Sequence, residues 1–91
     1  MYFVIVGAGI IGASLARWLV ASNHEVAVID TNQARCAAID DELGSVSVLG
    51  DGTEVGVLSK AGVNRAATLI ALTGDDDVNL VACQVARHLF N

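Results

Sequence analysis

Ninety-one residues, 54 % of them hydrophobic and none proline, suit one small α/β domain whose sheet is covered on both faces. The net charge is −5, and five Lys and Arg are scattered without a basic stripe, which sets nucleic acid aside as a partner. Residues 1–16 carry no charge, yet no basic segment precedes them, the run is shorter than about 18 residues, and Gly7, Gly9 and Gly12 interrupt it. It is therefore read as part of the fold, not as a leader or membrane insertion, and the chain as cytosolic. Cys36 and Cys83 are too few for a disulfide framework or a zinc site, and both are read as small buried hydrophobes.

Along the chain, Tyr2–Val6 is a short β-rich apolar run. From Ile10 to Ser22 the period changes, and Ile11, Leu15, Trp18 and Leu19 fall on one helical face that should meet the sheet. A turn at Ser22-Asn23-His24 leads into a second strand, Glu25–Ile29, ending at Asp30. Thr31 or Asn32 caps a helix that runs to about Leu43 and stops at Gly44. Val46–Leu49 is a third strand, and Asp51 or Thr53 caps a short helix to about Ala61. Ala67–Leu72 is a fourth strand, and Asp75–Phe90 a helix with Val78, Val81, Ala82, Val85 and Leu89 inward. Strands alternating with helices imply a Rossmann-type parallel sheet with right-handed crossovers. The expected order is 3-2-1-4, with the first two helices on one face and the last two on the other.

Gly7-Ala8-Gly9-Ile10-Ile11-Gly12 is a GxGxxG that follows a strand, opens a helix and is followed by an acid, Asp30, 18 residues after Gly12. Gly7 permits the tight turn, Gly9 lets a pyrophosphate approach the backbone, and Gly12 lets the helix pack on the strand. Free N–H groups and the positive helix end then face the phosphates. Asp30 accepts from the ribose hydroxyls. Without a ligand, this acid has no evident purpose. Asp30 followed by uncharged Thr31 and Asn32 also disfavours NADP, while Arg35, a turn further on, is read as solvated. Gly50-Asp51-Gly52-Thr53 and Thr73-Gly74 leave the same sheet edge, so Asp51 reaches the adenine amino group unless it only caps its helix. Asp75-Asp76-Asp77 complements a helix dipole and is not assigned a metal.

Gly7–Gly12, Val28-Ile29-Asp30, Gly50–Thr53, Leu58–Gly62 and Ala71–Asp76 with Asn79 together resemble the RCK (KTN) family of TrkA N-terminal domains, across the whole chain. Val81–Ala86 is most similar to the branch serving bacterial potassium uptake. The resemblance implies a cytosolic, nucleotide-sensing regulatory domain. It forms homo-oligomeric rings, lies peripheral to the inner face of the membrane, and gates a potassium transporter or channel subunit on binding NAD(H) or ADP/ATP. It implies cofactor contacts at Gly7, Ala8, Gly9, Ile10, Ile11, Gly12, Asp30, Thr31, Asp51, Gly52, Thr73 and Gly74, with no catalytic residue and no metal. Many members carry alanine where Gly52 stands, so glycine here should loosen the loop. Some ATP-responsive members carry arginine where Ile10 and Ile11 stand. Full domains of the family continue with further strands, so residues 1–91 are read as a truncated half.

The competing reading is the cofactor half of an NAD-dependent dehydrogenase. That chemistry needs a general acid or base. His24 and His88, the only histidines, both fall at the edge opposite the glycine loop and are read as surface residues. The uncharged edge strand Ala67–Leu72 lacks the usual protection and favours self-association.

Overall fold

The computed structural model describes the backbone of residues 1–90 and the side chains of residues 1–88. The elements are β1 (Tyr2–Val6), α1 (Ile10–Ala21), β2 (Glu25–Asp30), α2 (Gln33–Leu43), β3 (Ser47–Leu49), α3 (Val55–Lys60), a 3-10 turn at Val63–Arg65, β4 (Thr68–Ala71) and α4 (Asp76–Phe90). All strand pairs are parallel, in the order β3-β2-β1-β4 that the alternation of elements predicts. Both central strands are buried on both faces, so they read as apolar runs without polar alternation. Val4, Val6, Ala27 and Ile29 pack with Leu58, Ala61, Val63, Ala82 and Ala86 on the α3–α4 side. Ile5, Val26 and Val28 pack with Ala13, Ala16, Leu19 and Ile39 under α1 and α2.

The inward face of α1 differs from the one its large apolar residues suggest. Gly12, Ala13, Ala16 and Leu19 are buried, whereas Ile11 and Trp18 are exposed and Leu15 is half-buried. The cause is close approach. Gly12 lies against the Gly7 carbonyl, which holds the helix too near the sheet for a large side chain in its first inward turns. α4 behaves alike: Ala82 and Ala86 are buried, Val78 and Val85 are half-buried, and Val81 is exposed; Leu89, also expected inward, lies outside the described side chains. Cys36 is buried as expected, but Cys83 is exposed. β4 is an edge strand, and a shallow groove beside it is lined by Val63, Ala66, Thr68, Leu69, Cys83 and Arg87 among others.

The connection from α2 to β3 is fastened by one carboxylate. Asp40 accepts from the Val46 and Ser47 amides at 3.0 and 2.8 Å and from the Ser47 hydroxyl at 2.7 Å. Chiefly the Ser47 hydroxyl, with these amides, holds the Asp40 carboxyl below its ordinary range. A depressed folded-state pKa contributes stability above the unfolded value, and that contribution is lost as pH falls through the folded value. Asp40→Asn should therefore destabilise the domain at pH 7, and the difference from wild type should close as pH falls below about 4. Urea unfolding across that range checks it; a difference independent of pH would contradict it.

Candidate functional site

Four loops leave the carboxyl ends of the strands. In the first, Gly7 takes φ +113°, and a Cβ there would lie 2.8 Å from the carbonyl of Leu72. A Cβ on Gly12 would lie 1.9 Å from the Gly7 oxygen. Both glycines are thus required by packing of the chain on itself. Gly9 is different. Its φ of −72° and ψ of −167° are extended backbone open to any residue, and nothing lies within 4 Å of the position a Cβ would take. Gly9 is the N-cap of α1 and no described side chain caps that end, so the first-turn N–H groups and the positive end of the dipole stand bare.

Asp30 closes β2 and is 9 % exposed, the one charged residue among those described that is buried. Its Oδ2 accepts from the Ala8 amide and its Oδ1 from the Asn32 amide, each at 2.8 Å. The Gly50 amide donates to its carbonyl at 3.0 Å. One residue therefore ties together the glycine loop, the entry to α2 and the loop after β3. This corrects the expectation that the acid has no purpose without a ligand. Each carboxylate oxygen keeps a further acceptor position. Asn32, rather than Thr31, caps α2 by accepting from the Arg35 amide at 3.0 Å. Arg35 is largely solvated, as expected, but its Nη1 lies 3.8 Å from Asp30 Oδ2.

In the third loop, Asp51 Oδ1 accepts from the Thr53 amide at 2.9 Å and the Thr53 hydroxyl at 2.7 Å. These bonds, the amide's first, hold its carboxyl below the usual range. Neither residue caps α3, whose N-cap is Glu54; the two brace their own loop instead. A Cβ on Gly52 would lie 2.5 Å from Val6 Cγ1. Gly52 therefore seats the loop tightly on β1 and does not loosen it. In the fourth loop, Asn79 grips Thr73: its Oδ1 accepts from the Thr73 amide at 3.0 Å and its Nδ2 donates to the Thr73 carbonyl at 3.1 Å. Asp75 caps α4 by accepting from the Asp77 and Val78 amides at 2.9 and 3.1 Å.

The loops enclose an open cavity of about 710 Å³. Gly7, Gly9, Ile10, Ile11, Asp30, Thr31, Asp51, Gly52, Thr73 and Gly74 line it, as do Arg35, Gly50, Asp75 and Val78, which are not among the expected cofactor contacts. Ala8 and Gly12 stand behind this wall: Ala8 is buried with its N–H on Asp30, and Gly12 packs beneath Gly7. Ile10 is 89 % exposed at the rim. Spacing along α2 is the signal that could have found Arg35, since it is a first-turn residue beside the end of β2.

Residues 3–91 match the family model described as the TrkA-N domain. The chain belongs to the TrkA-N domain family. A Trk system potassium uptake protein TrkA homolog of Pyrococcus horikoshii is 43 % identical over 89 residues, which are 98 % of this chain and 39 % of that protein. The Trk system potassium uptake protein TrkA of Azorhizobium caulinodans is 41 % identical over 91 residues, 100 % of this chain and 20 % of that protein. The chain thus spans well under half the length of these relatives. A solved structure, the NAD(P)-binding domain of an exopolyphosphatase-related protein from Archaeoglobus fulgidus, superposes with a TM-score of 0.84 at 22 % identity. It covers 96 % of this chain and 65 % of that one, and it shows the same Rossmann-like fold.

Two glycines of this TrkA-N domain differ in what packing asks of them. Gly52→Ala drives a Cβ into Val6 and should destabilise by about 1–3 kcal/mol. Gly9→Ala meets nothing and should stay within about 0.5 kcal/mol of wild type. Denaturant unfolding compares them; similar losses in both would contradict this assignment.

Proposed function

We propose that this TrkA-N domain binds an adenine nucleotide, NAD(H) foremost with ADP or ATP as alternatives, and so regulates a potassium-transporting membrane partner. The observation that carries the reading is Gly9: a glycine the fold itself does not require, on an uncapped helix end, in the same cavity as a buried, oriented carboxylate. The pyrophosphate lies against the α1 N-terminus, where a Cβ at Gly9 would obstruct it. The ribose hydroxyls donate to the free acceptor positions of Asp30. The adenine extends toward the Gly50–Gly52 loop, where Asp51 accepts from its amino group. Thr73, held by Asn79, and the adjacent Gly74 flank the remainder of the ligand.

Similarity to Trk system potassium uptake proteins supports the regulatory part, since the chain spans only a portion of each. No described helix is long and apolar enough to cross a membrane. By similarity to the Trk potassium uptake proteins, the domain acts from the cytosolic side through its partner. Catalysis is not part of the reading. His24 lies where β2 begins, 3.2 Å from the Met1 amino group and edge-to-face with Phe3, and neither it nor His88 lines the cavity. Self-association along the open edge of β4 belongs to the same reading, with the groove between β4 and α4 at the seam.

Calorimetric titration tests the ligand. The wild type should bind NAD more tightly than NADP, because a 2′-phosphate approaches the Asp30 carboxylate. Gly9→Ala should remain folded yet lose affinity about tenfold or more, roughly 1.4 kcal/mol. Undiminished binding by a folded Gly9→Ala variant would sink the proposal. Light scattering tests assembly: a mass above 9.4 kDa that falls on Leu69→Lys is expected, and a concentration-independent monomer would refute the β4 contact.

A further inference from the structure

Of the described residues lining the cavity, three carry carboxylates, Asp30, Asp51 and Asp75, and one carries a cation, Arg35. That cation is placed where helix energetics do not favour it. Arg35 sits in the first turn of α2, at the positive end of the dipole. Its nearest acid is Asp30, but the 3.8 Å separation is too long for a hydrogen bond. Asp30 Oδ2 already accepts the Ala8 amide at 2.8 Å. The guanidinium therefore sits beside the carboxylate without spending its donors there, and its side chain is 57 % exposed toward the opening.

Resting on the nucleotide reading above, we infer that Arg35 is a specificity-determining residue for the substituent at the ribose 2′ position. The Asp30 carboxylate alone repels a 2′-phosphate. Arg35 beside it offsets that charge and offers a planar fork of donors whose geometry matches phosphate oxygens. The site thus prefers a free 2′-hydroxyl through Asp30 while Arg35 keeps it open to 2′-phosphorylated nucleotides. Discrimination between the two ligand classes is set by this pair rather than by Asp30 alone. Because Arg35 is largely solvated, its part is screened by salt.

Binding of ADP-ribose and of 2′-phospho-ADP-ribose to the full chain, measured by calorimetry at low and high salt, tests this. Wild type should bind both, ADP-ribose more tightly. Arg35→Gln should weaken 2′-phospho-ADP-ribose about tenfold and ADP-ribose less than about threefold, a span typical of a charge-assisted contact. Arg35→Lys should retain part of the affinity for the phosphorylated ligand, and high salt should narrow the gap between wild type and Arg35→Gln. Equal weakening of both ligands would make Arg35 a pyrophosphate contact and overturn the inference, as would no weakening of either. Failure of ADP-ribose to bind the wild type would instead overturn the nucleotide reading, and this inference with it.

Discussion

A buried carboxylate with two backbone amides aimed at it governs this domain. Taking a charge out of water is costly unless donors compensate it. The amides of Ala8, on the glycine loop, and Asn32, at the entry to α2, supply one donor to each Asp30 oxygen. The bonds fix the glycine loop relative to the start of α2, and the Asp30 carbonyl takes the Gly50 amide from the next loop. The shape of the cavity at the strand ends is a consequence of that clasp. An asparagine at position 30 would present an amide N–H₂ to one of two donors, so fold and site are coupled at this residue. A substitution there reports on both, which makes Gly9 the cleaner probe of ligand access.

Close approach of α1 to the sheet is the second constraint. Gly12 against the Gly7 oxygen, followed by Ala13 and Ala16, brings the helix end directly over β1. That places bare N–H groups at the mouth of the cavity, and it also turns Ile11 and Trp18 outward. The geometry that makes the site therefore leaves apolar side chains on the outer face of the same helix.

Strand order and the two packed faces follow from the alternation of apolar runs with helical periods, so they were legible before any coordinates. The spacing from the glycine loop to Asp30 was legible for the same reason, since a βαβ unit has little freedom in length. The inward face of α1 was not, because hydrophobic periodicity ranks side chains by size and apolarity, whereas a helix held at glycine distance buries its smallest residues. Capping was misjudged at Asp51 and Thr53, which bond to each other and not to α3. Both residue types favour local turns as readily as helix caps, and composition does not choose between them. Arg35 reads as solvated from sequence because a first-turn arginine usually faces water; only the position of Asp30 across the turn reveals its neighbour.

Residue-by-residue mapping of amide chemical shifts during titration of an isotope-labelled sample with NAD tests the central claim most directly. If the Asp30 clasp shapes a nucleotide site, the amides of Ile10, Ile11, Gly12, Asn32, Gly50, Gly52, Thr73 and Gly74 should shift in concert, while those of Tyr2 and Glu25 at the far sheet edge stay still. Shifts confined to the groove around Thr68 and Cys83, or none at saturating ligand, would contradict the account.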